Sequence, residues 1–191
     1  MRLLIILLRA WWATRKRRWL ATDAVTVLEM RVWPQDIDLN LHMNNARYFS
    51  IADMGRFDWW MRTGIWRRAL ARGWRPVAGD VDARFSRSLQ PFQRYQLATQ
   101  LVGWDAKWIY ALHEFKVGPK TYATLAVRYV FIRGKRDLAT PKQVLALAGV
   151  EGPSPPLPEW VRQWSGAQDR LAADRRALRY AEQNGDNSNV D

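Results

Sequence analysis

The chain has 191 residues, 48% of them hydrophobic and twelve of them tryptophan, enough to bury a full core in one domain with terminal extensions. It has no cysteine, which excludes disulfides, thiolate nucleophiles and cysteine-held zinc, and its two histidines, His42 and His113, are too few for a His-rich metal centre. The net charge of +12 would suit a nucleic acid, but half of it sits on Arg2, Arg9, Arg15, Lys16, Arg17 and Arg18, and the remainder is mixed and lacks a base-stacking repeat or helix-turn-helix signature. Neither a nucleic-acid partner nor a cofactor is expected.

Residues 1–21 form a basic, apolar N-terminal segment. Its apolar run, Leu3–Leu8, falls far short of the ~20 residues that span a bilayer. Most of the charge follows that run, whereas a secretory signal carries it in front. Two readings stay open. One is an interfacial helix, with Trp11, Trp12 and Trp19 at the headgroups and arginines against anionic lipid. The other is a helix packed on protein. The first places the chain in the cytoplasm with peripheral contact at the inner membrane surface through residues 1–20.

Residues 22–150 carry the body. Ala24–Val32 is rich in β-branched residues and reads as a strand that Pro34 ends. From Asn45 to Leu70 the spacing is helical: Tyr48, Ile51, Ala52, Gly55 and Trp59 share one face, Phe49, Phe57 and Trp60 make other faces apolar, and Gly64 breaks the run. A helix apolar nearly all round is a buried one. Val81–Leu89 alternates as if one face were buried, and Tyr95–Trp104, Trp108–Val117 and Thr121–Arg133 follow across short turns. Close hairpins of this kind make an antiparallel sheet, here wrapped around a long helix in an α+β domain. Residues 151–191 are a helical extension: a proline-rich loop at 152–156, helices over Pro158–Trp164 and Ala167–Glu182, and a frayed polar tail.

Between the first strand and the helix, Asp36–Tyr48 is denser in reactive groups than any other stretch. Asp36, Asp38, Asn40, His42 and Asn44 occupy alternate positions. An extended segment would point them to one side, with Ile37, Leu39, Leu41 and Met43 anchored on the other. Asn44 or Asn45 is a candidate N-cap, so free helix N–H groups would face the same cleft and favour negative charge on an oxygen there. Such a cleft suits attack on a carbonyl compound. Composition alone supports equally a capped loop in which Asp36 and Asn44 satisfy backbone donors. His113, alternating with Ile109, Ala111 and Phe115, reads as a hydrogen-bonded core histidine.

Asp38-Leu39-Asn40-Leu41-His42-Met43-Asn44-Asn45-Ala46-Arg47-Tyr48 resembles the Asp-x-x-Gly-His-x-Asn-Asn-x-x-Tyr motif of hotdog-fold acyl thioesterases, the 4-hydroxybenzoyl-CoA thioesterase superfamily. With Leu101–Asp105 it is most similar to the group of thioesterase superfamily member six and its bacterial relatives, over about Val25–Trp164. The resemblance implies a single hotdog domain, acyl-CoA or acyl-carrier-protein thioesters as substrates in lipid metabolism, and a homodimer. It implies Asp38 as general base or nucleophile, Asn40 and His42 beside it, and the Asn45 N–H on the thioester carbonyl. Asn44 and Tyr48 are taken as substrate-binding. A catalytically weak acyl-CoA or lipid-binding protein at a membrane surface is the alternative. The family's frequent glycine is Leu41 here; if that glycine serves a positive φ, the leucine predicts a different loop path.

Overall fold

The computed structural model describes residues 20–135 and 137–186. The segment expected at a membrane surface therefore lies outside the described residues except for Leu20, whose N–H donates to the carbonyl of Arg62 at 3.0 Å. No described helix is long and apolar enough to cross a membrane.

The elements run β1 (Thr26–Arg31), α1 (Asn45–Arg62), α2 (Ile65–Leu70), β2 (Arg75–Phe85), β3 (Arg94–Trp104), β4 (Ile109–Val117), β5 (Lys120–Ile132), β6 (Leu138–Ala139), α3 (Pro141–Ala146) and α4 (Glu159–Asp186). The sheet is antiparallel in the order β1-β3-β4-β5-β2, with β6 on the end of β5. Local chemistry sets the hairpins. Asp105 Oδ1 accepts the N–H groups of Lys107 and Trp108 at 2.7 and 2.6 Å, closing the β3–β4 turn. Gly118 supplies the positive φ of the β4–β5 turn.

β1 and β2 are the outer strands, and α1 is the chain between them. The helix packs on the sheet chiefly over β1, β3 and β4. Tyr48, Ile51, Ala52, Gly55 and Trp59 are buried on it, as their spacing predicts. Trp59 and Trp60 pack with Ile109, Val127, Tyr129 and Phe131; Tyr48 and Ile51 pack with Leu97, Phe115 and Leu125. Each large side chain so buried stabilises the fold by about 1.5–3 kcal/mol. Gly55 permits the closest approach: a Cβ there would stand 2.4 Å from Thr99 Oγ1 and 2.9 Å from Leu97 Cδ2. Gly64, at φ 77°, ends α1 and starts α2.

Two expectations are corrected. The strand after the helices is Arg75–Phe85 rather than Val81–Leu89, and Val77, Val81 and Phe85 remain 41%, 37% and 39% exposed. The expected inner face is therefore only partly covered: Ala83 packs against the core and Phe85 against Tyr48, while Val81 borders a gap beside α1. In the C-terminal extension, one helix replaces the expected two and runs straight through Gly166. Residues up to Pro155 form one compact unit and those from Pro156 onward another.

Candidate active site

The chain leaves β1 through Val32 into a single 3₁₀ turn at Pro34–Asp36, and Asp36 is fully buried. Its Oδ2 accepts the Trp33 N–H at 2.8 Å, its Oδ1 accepts Arg47 Nε–H at 3.0 Å, and its carbonyl accepts the Asn44 N–H at 2.8 Å. One carboxylate thereby ties the end of β1 to the first turn of α1. The capped-loop reading is right for Asp36.

Residues 37–43 are not extended, so the alternation reading fails for this loop. Ile37 pairs with Met43 in an isolated antiparallel bridge. Inside it the Asp38 N–H donates to the His42 carbonyl at 3.1 Å and the Leu41 N–H to the Asp38 carbonyl at 3.0 Å. This is a three-residue hairpin loop whose last residue is left-handed, the arrangement that usually takes glycine. Leu41 occupies it at φ 59°. The loop therefore keeps the path a glycine would allow, at a strain of about 1–2 kcal/mol. Only Ile37 and Met43 anchor it; Leu39 is 100% and Leu41 73% exposed at the tip.

The hairpin brings Asp38 and His42 together. Asp38 Oδ1 accepts the Asn40 backbone N–H at 2.9 Å and lies 3.7 Å from His42 Nδ1. Its Oδ2 has no partner among the described residues. His42 Nδ1 also lies 3.3 Å from the Met43 carbonyl. Both neighbours of Nδ1 are acceptors, which favours the Nδ1–H tautomer and leaves Nε2 with a lone pair. The Asn40 carboxamide is exposed and holds neither group; the contribution of Asn40 to the loop is its main chain.

Asn44, not Asn45, is the N-cap: its side-chain oxygen accepts the Ala46 N–H at 2.8 Å, and its carbonyl accepts the Arg47 N–H at 2.9 Å. Asn45 is the first helical residue, and its N–H has no acceptor among the described residues. That donor stands at the positive end of an 18-residue helix. Tyr48 is 1% exposed; its hydroxyl accepts the Leu89 N–H at 3.4 Å and its ring packs edge-on against Phe85 and Phe115. Burial pushes its phenol pKa upward. His113, as expected, is a core residue: fully buried, with Nδ1 3.0 Å from Thr99 Oγ1.

The structure adds a site feature along α1, where the sequence reading takes Asp53 and Arg56 as structural positions and offers Trp60 as a limit on acyl-chain depth. Asn45, Phe49, Asp53, Arg56 and Trp60 recur at intervals of three and four, and from Phe49 onward this stripe borders two cavities between α1 and the edge strand β2.

Residues 32–165 match the model of the thioesterase-like superfamily. The chain belongs to that superfamily. It is 32% identical over 158 residues to Protein THEM6 of Danio rerio (79% of this chain, 76% of the relative) and 30% identical over 148 residues to Protein THEM6 of Xenopus laevis (76% and 70%). The match to Protein THEM6 of Drosophila melanogaster is 36% identical over 102 residues and spans about half of each chain, 53% and 51%. Among solved structures, the YbaW probable thioesterase from Escherichia coli superimposes with a TM-score of 0.59 at 17% identity, over 64% of this chain and 97% of that one. The BH1999 gentisyl-coenzyme A thioesterase gives 0.57 at 14%, over 63% and 99%. These likenesses establish the hotdog fold: an antiparallel sheet curled around one long helix.

Proposed function

We infer that this superfamily member hydrolyses acyl-CoA thioesters to free acid and thiol. One observation carries the reading: a carboxylate oxygen, Asp38 Oδ2, and a helix-terminal N–H, that of Asn45, both without a partner among the described residues, stand at the two ends of one short, cross-braced loop. A thioester carbonyl hydrogen-bonded to the Asn45 N–H has its developing oxyanion stabilised there. Asp38 Oδ2 takes a proton from water as its oxygen bonds to the carbonyl carbon. The C–S bond then breaks, and the proton passes to the departing thiolate. Attack by Asp38 itself, giving a mixed anhydride that water cleaves, uses the same geometry. The Asn40 main chain aims Asp38, His42 braces the loop through Met43 and offers Nε2 to a proton, Asn44 caps the donor helix, and Tyr48 holds the helix on the sheet.

The acyl group is fatty or aromatic, and the thiol is CoA rather than a carrier protein; the SAV2348 protein, which shares this fold at a TM-score of 0.60 and 14% identity, was solved with CoA. The purified chain given a panel of acyl-CoAs should release thiol from at least one class. Binding without release across the panel would instead favour the weak acyl-binding alternative.

The active form is a homodimer. β2 is an eleven-residue outer strand whose far edge pairs with no other strand among the described residues, and Val77 on it is exposed, so a second copy would cover it. Light scattering should return twice the chain mass for the full chain, and a monomeric mass would refute the dimer.

A further inference from the structure

The cavities between α1 and β2 measure about 220 and 260 Å³ and share Asp53, Arg56 and Ala78. The nearer is walled by Phe49, Val81 and Val127, and the farther ends at Trp60, Trp66 and Tyr129. Both are lined mostly by apolar side chains; the charged groups are the Asp53–Arg56 pair where they meet and Arg75, with the Tyr129 phenol, in the farther one. In the pair Arg56, its side chain only 11% exposed, donates through Nη2 to Asp53 Oδ1, while Asp53 is 53% exposed. The remaining guanidinium donors have no acceptor among the described residues. Burial lowers the Arg56 pKa, and the positive charge of Arg56 adds to the burial that holds His113 neutral. A half-buried ion pair in the waist of a mostly apolar groove is costly unless whatever fills the groove completes its hydrogen bonds.

The position of the pair on the helix fixes how deep it lies. Asp53 is eight residues beyond Asn45, about 12 Å along the axis at ~1.5 Å per residue. Arg56 leans back to it by one turn, as helical side chains do. An extended acyl chain advances about 1.3 Å per carbon, given C–C bonds of ~1.5 Å. A chain whose carbonyl sits on the Asn45 N–H thus reaches the ion pair at roughly its ninth or tenth carbon. An aliphatic chain would desolvate the pair and return nothing. A carboxylate would bond to Arg56 but be repelled by Asp53. A hydroxyl accepts from Arg56 and donates to Asp53, meeting both.

Building on the thioesterase reading, we propose that the α1–β2 groove selects medium-chain acyl groups bearing a hydroxyl near the tenth carbon, with Arg56 and Asp53 as the specificity residues. The test compares 10-hydroxydecanoyl-CoA with decanoyl-CoA by thiol release, and the two free acids by calorimetry. The wild type should favour the hydroxylated ester by about tenfold or more in kcat/KM, and Arg56→Met should bring the ratio near one. If that variant does not fold, Arg56→Gln reads the same ratio. Equal or better turnover of decanoyl-CoA by the wild type, or an unchanged ratio in the variant, overturns the groove assignment and leaves thioester hydrolysis standing. Tighter binding of 10-hydroxydecanoic acid with no turnover of either ester supports the groove and refutes hydrolysis. Neither binding nor turnover refutes both.

Discussion

Replacing Asn45 with proline removes one proton from the site and little else. The first helical position is where proline is best tolerated, because the N–H it lacks is already without an intrahelical partner. Proline also restricts the residue before it to extended backbone. Asn44 already meets that demand at φ −59° and ψ 136°. The Asn44 cap on the Ala46 N–H does not involve the amide of residue 45 and stays in place. Asn45→Pro should therefore unfold at close to the wild-type urea midpoint. If its N–H holds the oxyanion, losing it should lower kcat by about 10²–10³-fold, or roughly 2.7–4 kcal/mol of barrier. Asn45→Ala keeps the N–H and removes an exposed side chain, so it should retain most of the activity. The assay is thiol release under saturating acyl-CoA, with circular dichroism to confirm the helix. A fully active, folded Asn45→Pro variant would refute the main-chain oxyanion site. A dead Asn45→Ala variant would shift the role to the carboxamide.

Leu41→Gly should stabilise the chain by about 1 kcal/mol, since it relieves the left-handed strain, forfeits little burial and gives back part of the gain to unfolded-chain entropy; a lower urea midpoint would show that the exposed leucine is held by packing. Gly55→Ala should destabilise by about 1–3 kcal/mol, because its Cβ has no room against Thr99 and Leu97 of β3, and an unchanged midpoint would mean that α1 can lift off the sheet freely. Burial and the charge of Arg56 pull the His113 imidazole down to about 3. The unfolded chain takes up a proton near 6.5 and the folded chain does not, so stability from this group is complete above that pH. It falls at up to about 1.4 kcal/mol per pH unit from 6.5 toward 3. His113→Gln should flatten that part of the urea stability profile, and a profile parallel to that of the wild type would refute the assignment.

The elements with one dominant pattern were legible in the sequence. The apolar spacing of α1, the break at Gly64 and the β3–β4–β5 hairpins all follow from residues that act locally. The loop at 37–43 was misread because a period of two looks the same whether a segment is extended or happens to alternate across a hairpin. The hydrogen bonds from Asp38 to His42 and from Leu41 to Asp38, not side-chain polarity, decide its path. Leu41 adds a second lesson: a left-handed position can hold a leucine when the bridge between Ile37 and Met43 closes the loop around it. The edge exposure of Val77 depends on strand order, and the meeting of Arg56 with β2 depends on packing. Neither is written in any local pattern.

The central claim, that Asp38 drives thioester cleavage, is tested most directly by thiol release from acyl-CoAs of varied length, wild type beside Asp38→Ala. Asp38 is partly exposed, and among the described residues its carboxylate supports only the local Asn40 N–H and the His42 contact, so the variant should fold. The account predicts measurable release by the wild type and a fall in kcat of about two orders of magnitude or more in the variant. A folded Asp38→Ala chain with undiminished turnover would contradict it.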